Sequence, residues 1–384
     1  MRVKHRICAA VAAVAVLASA APASAQDARS SADIINEALR EVRVEFAAAA
    51  AQVNRQSGQA ARAAAQAARE AERRRRDETR RGPEVTEAFS RTVRLGRDGT
   101  LSLENVSGDI EVNGGGGSDV RIDATKRARH ADSAEARAIL QDLVINVSER
   151  GGDVDVRTEY KRYSGRRSNR YGYASVDYTV AVPREASVTL RSVSGSMKVT
   201  NVNGELRAES VSGGIVTSAG RKIRALKSIS GDVEIADSQS DDLTAGTVSG
   251  SVILRNVKTR IVELQSVSGD LRLTDVDADH AEMKTVSGNV EYAGRLSRSG
   301  RYEFQSHSGS VRFRPMGTPN FSIEATTFSG DVRTDFPLTL QGGQPFARGF
   351  QGRRQNRSVR GTVGSGGAMI TMQSFSGDIV ITKQ

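Results

Sequence analysis

Aromatic residues and cysteine are scarce in this chain, and tryptophan is absent. Of 384 residues, 4% are aromatic and one, Cys8, is a cysteine. A globular core of this size would normally use more aromatic side chains, whereas a thin core of stacked coils can be filled by Val, Ile, Leu and Ala. Cys8 lies in the N-terminal leader described below, so the exported chain would contain neither a disulfide nor a thiol nucleophile.

Motifs of common enzymes are also missing. The sequence contains no His-Glu-x-x-His motif and no Gly-x-Ser-x-Gly elbow, and its four histidines lie far apart. Asp275, Asp277, Asp279 and His280 are the best ligand-like cluster, but the spacing does not fit an EF-hand, and we expect a solvated turn. We therefore predict a non-enzymatic protein with no metal and no cofactor. The alternative is a β-helix enzyme acting on polysaccharide through acids such as Asp270.

The first 25 residues resemble an export signal. Arg2, Lys4 and Arg6 precede an apolar run over 7–21, and Ala23-Ser24-Ala25 gives a cleavage site. We expect a protein that is exported to the periplasm or the cell surface, with no transmembrane segment after cleavage. Net charge would fall from +10 to +7 because three basic residues leave with the signal. A mild positive excess is compatible with anionic surfaces.

Residues 26–85 have a helical composition rich in Ala, Arg, Glu and Gln. Apolar residues recur there with heptad spacing at Ile35, Leu39, Val42, Phe46, Ala49 and Val53. A solvated helix or stalk, a coiled coil that self-associates through 35–67, and an anion-binding arm all remain open. Self-association would make the protein an oligomeric structural scaffold.

A repeated phrase, Val-Ser-Gly-Asp or a close variant, dominates the rest of the chain. Its glycines are Gly108, Gly195, Gly213, Gly231, Gly250, Gly269, Gly288, Gly309, Gly330 and Gly377. From Gly195 to Gly330 the period is 18–21 residues, which indicates a β-solenoid. We assign 86–185 to a β-rich section with one helix, at Asp132 to Leu143, and 186–384 to the solenoid. About eight coils spaced by roughly 4.8 Å would give a rod near 40 Å long.

Strand alternation makes a prediction for the residues before each glycine. Both polar positions of the phrase, Ser266 and Ser268 in one copy, would point inward, and their hydroxyls would pair from coil to coil. The residue between them would then point outward. This stripe comprises Val193, Val211, Ile229, Val248, Val267, Val286, His307, Phe328 and Phe375. If alternation breaks near the turn, the stripe is buried; the sequence leaves both possibilities open.

Two basic segments lacking acidic residues are candidate polyanion-binding sites. The stretch over 161–173 contributes Lys161, Arg162, Arg166, Arg167 and Arg170, and the loop over 341–360 contributes Arg348, Arg353, Arg354, Arg357 and Arg360. Each is also compatible with a solvated loop. Envelope polysaccharide, an anionic surface or a protein is the expected partner, and nucleic acid is not.

The repeats resemble a known family. Leu103-Glu104-Asn105-Val106-Ser107-Gly108-Asp109-Ile110, Val180-Ala181-Val182-Pro183, Thr327-Phe328-Ser329-Gly330-Asp331 and Phe375-Ser376-Gly377-Asp378-Ile379 carry the likeness, together with the Val-Ser-Gly repeats between them. Over about 88–384 the chain is similar to the bacterial "putative adhesin" family of exported β-strand-repeat proteins. The resemblance implies a β-solenoid on the cell envelope, an adhesin or binding scaffold without enzymatic activity, and it brings no functional residues.

Overall fold

The computed structural model describes residues 83–130, 132–161, 173–317, 319–340 and 358–383. The predicted signal peptide and almost all of the helical segment 26–85, including its heptads, lie outside these ranges. So do most of the two basic segments.

The described residues form an almost entirely β structure with one helix, α1 (Ser133–Asp142). The strands are β1 (Glu84–Arg94), β2 (Thr100–Ser107), β3 (Ile110–Gly115), β4 (Asp119–Arg129), β5 (Leu143–Arg150), β6 (Asp153–Tyr160), β7 (Tyr173–Pro183), β8 (Ser187–Ser194), β9 (Met197–Thr200), β10 (Glu205–Ser212), β11 (Ile215–Ser218), β12 (Lys222–Ser230), β13 (Val233–Ser249), β14 (Val252–Ser268), β15 (Leu271–Ser287), β16 (Val290–Ser308), β17 (Val311–Pro315), β18 (Phe321–Ser329), β19 (Val332–Thr334), β20 (Thr339–Leu340), β21 (Ser358–Val363), β22 (Ala368–Ser376) and β23 (Ile379–Ile381).

The strands wind into a parallel β-solenoid, as the period predicts. Each coil has a first face that ends at the Ser-Gly corner and a second face that follows it. The first face is built from β2, β8, β10, β12, the C-terminal parts of β13 to β16, β22 and β18. Ser238–Ser240 pair with 257–259 and then 276–278, which adds a short third face to the middle coils. In the sequence, Val202-Asn203-Gly204-Glu205-Leu206 lies nine residues from both Gly195 and Gly213, and this half-repeat predicts two strands per coil. The structure adds the third face, which is only three residues long.

A second kind of corner separates the second and third faces. Asn201, Ala219, Asp237, Asn256 and Asp275 occupy it with φ between 48° and 59°. Asn and Asp tolerate this left-handed conformation better than most residues, which explains their recurrence. Asp275 is therefore a corner residue of the coil.

Alternation along every strand sends apolar side chains into one continuous core. In β14, for example, Val252, Leu254, Val262 and Leu264 are fully buried. The aromatic side chains gather in the later coils, where Tyr292, Tyr302, Phe304, Phe313 and Phe321 pack together. The coil from Gly288 to Gly309 is 21 residues long rather than 18 or 19, and its additional residues lie at 297–300, where the preceding coil has only Asp279. The Ser297 amide there donates to Tyr302 Oη at 2.9 Å.

The buried tyrosines keep their hydroxyls satisfied. Tyr302 Oη donates to the Ala278 carbonyl at 2.6 Å, and Tyr292 Oη donates to the Arg295 carbonyl at 3.0 Å. Tyr178 shares a hydrogen bond of 2.7 Å with Thr158 Oγ1, and burial raises the pKa of Tyr178 to about 12. All three rings therefore remain neutral hydrogen-bonding core residues at ordinary pH.

The inward hydroxyls of the repeated phrase bind backbone, and this corrects the predicted pairing between hydroxyls. Seven of them donate to the glycine carbonyl of the neighbouring coil, at 2.9–3.2 Å, whereas Ser192 Oγ and Ser210 Oγ have no hydrogen-bond partner. The pairs are Ser228 with Gly213, Thr247 with Gly231, Ser266 with Gly250, Thr285 with Gly269, Ser306 with Gly288, Ser374 with Gly309 and Thr327 with Gly377. The glycine carbonyl turns inward at the corner, so it is closer to the hydroxyl than the next hydroxyl is.

Two neighbouring coils provide a matched test of this ladder. Ser228 Oγ is hydrogen-bonded, whereas the equally buried Ser210 Oγ has no partner. We expect Ser228→Ala to destabilise the fold by about 1–2 kcal/mol, since it leaves the partly buried Gly213 carbonyl without this hydrogen bond, and Ser210→Ala to be neutral or slightly stabilising. Urea denaturation followed by circular dichroism measures both. Equal costs would show that the bond to Gly213 contributes nothing.

The last coil is inserted out of chain order. β22 pairs with β16 on one side and β18 on the other, and β23 lies between β17 and β19 in the same way. In space the corner glycines therefore run Gly309, Gly377, Gly330. The separation of 47 residues between Gly330 and Gly377 has this cause: after the rung of Gly330, the chain returns to form the rung that lies between those of Gly309 and Gly330.

Antiparallel strands close both ends of the stack. At the N-terminal end, β4 and β1 cover β7, and β5 covers β6. Asp132 is the N-cap of α1, and its side chain accepts a hydrogen bond from the Ala134 amide at 2.8 Å. At the other end, β21 and β20 cover β18. Such caps cover the ends of the parallel stack; the outermost strand is β1, of 11 residues, at the N-terminal end and β20, of two residues, at the other end.

Candidate binding surface

An exposed apolar stripe runs along the first face. Its spatial order is Val106, Val193, Val211, Ile229, Val248, Val267, Val286, His307, Phe375 and Phe328. The exposed fraction of these valine, isoleucine and phenylalanine residues is 40–61%, and His307 is also exposed. The stripe predicted from alternation is therefore on the surface, and ten rungs make it about 43 Å long.

Alternation does break, but one residue later than the stripe. Ser268 is exposed beside Val267, while Ser266 is buried. The expectation that both serines point inward is therefore wrong for the serine next to glycine. The strand ends there, and the backbone swings into the corner, so the final side chain leaves the pleat.

A furrow of about 2080 Å³ lies beside the stripe. One wall is the apolar stripe. The other wall, which we call the polar column, consists of the outward residues two positions earlier: Glu104, Arg191, Glu209, Lys227, Gly246, Gln265, Lys284, Gln305, Gln373 and Thr326. The floor is the strand between them, with the buried hydroxyl residues. The result is an amphipathic furrow parallel to the solenoid axis.

Charge is distributed unevenly along the polar column. In its N-terminal half, Arg191 reaches Glu104 at 3.4 Å and Glu209 at 3.5 Å. In its C-terminal half, Lys284 pairs with Glu282, and this hydrogen bond raises the pKa of Lys284. The remaining residues there are three glutamines and a threonine. The N-terminal half is thus ionic and the C-terminal half is largely uncharged.

Three stacked rings form the C-terminal end of the stripe. The centroids of His307 and Phe375 are 4.7 Å apart with planes 11° apart, and Phe375 and Phe328 are 4.8 Å apart at 6°. Parallel rings at this distance are in offset stacking. The stack depends on the insertion of the last coil, because Phe375 lies between two residues that precede it in the chain.

The carboxylates of the repeated phrase have structural partners. Asp232 Oδ1 accepts the Ser251 amide at 2.7 Å, and Asp270 Oδ1 accepts the Asn289 amide at 2.8 Å. Asp275, Asp277 and Asp279 are exposed. Among the described residues, no group of three or more His, Cys, Asp or Glu side chains could hold a metal ion.

The structure describes two of the ten basic candidates. Lys161 is exposed directly after β6, and its amide donates to the Asp142 carbonyl at 2.9 Å. Arg360 lies on β21 and pairs with Glu324. β6 and β21 border opposite ends of the first face, so these two side chains are not brought together. Arg162, Arg166, Arg167, Arg170, Arg348, Arg353, Arg354 and Arg357 lie outside the described residues, and polyanion binding stays a prediction.

Sequence reasoning missed the polar column. Its positions do not repeat a residue type, so no motif marks them. Strand alternation could have located them. Every second residue before the corner points outward, so the residues two positions before the stripe form a column that lies beside it.

Comparisons with known proteins agree with the architecture. The Toastrack DUF4097 family model matches residues 100–382. No curated protein matches the chain.

In the described ranges, none of the helical structure combines the length and apolar character that a membrane crossing requires.

Solved structures similar to this chain have low sequence identity. A "putative cell adhesion protein" from Clostridium sporogenes is 10% identical, covers 78% of this chain and 100% of its own, with a TM-score of 0.26. A "putative lipid binding protein" from Parabacteroides distasonis is 12% identical over 78% and 97%, with a TM-score of 0.40. A "putative adhesin" from Bacteroides fragilis is 12% identical over 78% and 97%, with a TM-score of 0.36. Since the family model spans most of the sequence, this chain belongs to the Toastrack DUF4097 family.

Proposed function

We propose that this protein is an exported, non-enzymatic binding scaffold of the cell envelope, and that it holds a surface polymer or protein partner in the furrow of its first face. The observation that carries the proposal is the ten-rung apolar stripe. A row about 43 Å long of nine exposed apolar residues and one histidine is unusual on a protein surface that remains in water, and such patches commonly mark contact sites.

The furrow has dimensions suited to an elongated partner. Small-molecule sites typically enclose about 300–1,000 Å³. The furrow is about twice the upper value and is open along its length. A rigid solenoid holds its walls in fixed register, so a linear partner can bind with little rearrangement of the protein.

The arrangement of carboxylates favours binding over catalysis. Asp270 and Asp275 are five residues apart on extended backbone, about 16 Å, whereas paired glycosidase carboxylates are about 5–9.5 Å apart. Asp275 and Asp277 are closer in sequence, but both are exposed and lack the apolar environment that separates the roles of a catalytic pair.

Substitutions in the middle of the stripe test this proposal. We expect Val248→Lys with Val267→Lys to reduce co-sedimentation with purified envelope fragments at least tenfold, because two charges would interrupt the apolar wall. Val216 is a matched control, since it is 43% exposed on the second face. Val216→Lys should bind like the wild type. Melting curves establish that all variants are folded, and equal binding by all three proteins would refute the stripe as the binding surface.

A further inference from the structure

We infer that the C-terminal half of the furrow is a site for an uncharged, linear carbohydrate chain that lies parallel to the solenoid axis. This inference rests on the proposed function and names the ligand class of the same surface. The half-furrow comprises five rungs of stripe, from Val267 to Phe328, and the polar column opposite, from Gln265 to Thr326.

The apolar wall suits the C–H faces of sugar rings. Val267 and Val286 present methyl groups, and the stack of His307, Phe375 and Phe328 continues the wall with aromatic surface. Offset stacking leaves the ring edges and part of the ring faces exposed. A pyranose likewise has apolar C–H patches and a rim of hydroxyl groups, so one side of it would contact this wall.

The polar wall suits the hydroxyl groups on the opposite side. Gln265, Gln305 and Gln373 each carry an acceptor oxygen and a donor nitrogen, and both kinds of bond are needed for hydroxyl groups. Gln305 Nε2 donates to Glu303 at 2.6 Å, which leaves its oxygen as acceptor. A purely apolar ligand would desolvate these amides without replacing their hydrogen bonds, which is unfavourable.

Charge favours a neutral ligand. The positive charge of Lys284 is compensated by Glu282, and the other polar-column residues of this half are uncharged. A polyanion would find no excess of positive charge along these five rungs. Any charged ligand would interact more strongly with the ionic N-terminal half, around Arg191 and Lys227.

The spacing of the rungs fits a carbohydrate chain better than an extended peptide. Rungs repeat every 4.8 Å or so, close to the length of one pyranose unit, so four spacings of about 19 Å would accommodate four to five units in step. Side chains on one side of an extended peptide repeat about every 6.6 Å and fall out of step within two or three rungs. An α-helix, with a pitch of about 5.4 Å and a diameter near 10 Å, is also too wide for a furrow formed by adjacent columns.

Chemical treatment of the binding material tests the inference. The probe is an envelope fraction from the producing bacterium, divided into portions treated with protease, with organic solvent or with periodate, which cleaves vicinal diols. We expect the full-length protein to bind after protease and solvent treatment and to lose binding after periodate. Loss after protease would indicate a protein partner, which overturns the inference while leaving the scaffold function intact. Loss after solvent would indicate a lipid, which overturns both proposals. Absence of binding to every portion overturns both.

Point variants locate the site on the protein. With the protease-treated, solvent-extracted fraction, Phe375→Val should weaken binding about tenfold by removing the central ring, and Gln373→Val about fivefold by removing hydrogen bonds. Met369→Ser is the matched control: Met369 lies on the same strand, is 56% exposed and is outside the furrow. Unchanged binding by both test variants would exclude this half of the furrow.

Discussion

Replacing Gly213 with alanine is expected to destabilise the solenoid by about 3–4 kcal/mol, one of the largest effects of any single substitution in the chain. A Cβ at Gly213 would lie 2.1 Å from the carbonyl oxygen of Gly195 and 2.6 Å from its carbon. Both atoms are backbone of the neighbouring coil, so the clash can be relieved only by separating two rungs.

The adjacent glycine is the control for this prediction. A Cβ at Gly214 would be 3.4 Å from the Asp232 carbonyl oxygen, an ordinary contact. Gly214→Ala should therefore change stability by less than about 0.5 kcal/mol. Chemical denaturation of both variants measures the difference. Comparable stability of Gly213→Ala and the wild type would mean that the coils are not stacked as closely as described.

Removal of residues 368–384 is expected to unfold the C-terminal rungs. The deleted strands β22 and β23 bury Ala368, Ile370, Met372, Ile379 and Ile381 in the core. At about 1.5–3 kcal/mol for each larger side chain, the deletion removes roughly 10 kcal/mol of burial. It also leaves a vacant rung between β16 and β18, so the coil over 319–334 loses its support.

Limited proteolysis reports this loss directly. The truncated chain should be cleaved rapidly within 311–340, a range that the full chain protects. Deleting only residues 383–384 is the control; it removes the cation–π contact of Lys383 with Phe336 at 5.4 Å and should leave the protection intact. If the longer truncation remained protected, β18 would not depend on β22, and the out-of-order insertion would be wrong.

The repeats made the solenoid predictable because one corner device recurs in every coil. Glycine is required where a Cβ would strike the preceding rung, as at Gly213, and the apolar alternation follows from the pleat. The order of the last coils was not predictable in the same way. The repeat period shows how many coils follow one another along the chain. It does not show that β22 lies between β16 and β18, because that placement depends on which strands are neighbours in space.

The residues of the stripe could be predicted from the sequence, but their exposure could not be decided, and the furrow was not predicted. Alternation placed Val267 outside only on the assumption that the pleat continues to Ser266; the bond from Ser266 to the Gly250 carbonyl is what holds that residue inward. The acceptor is a backbone atom, which leaves no trace in the sequence. The aromatic stack likewise required the spatial neighbours of Phe375, which are 47 and 68 positions away in the chain.

Hydroxyl-radical footprinting with and without bound envelope fragments is the most direct test of the claim that the first-face furrow is the binding surface. It compares residues of one folded, unmutated protein, so stability differences do not enter. We predict that oxidation of Phe375 and Phe328 falls on binding while that of Met369, exposed on the same strand as Phe375, stays the same. Unchanged oxidation of both phenylalanines in the presence of bound fragments would contradict the account.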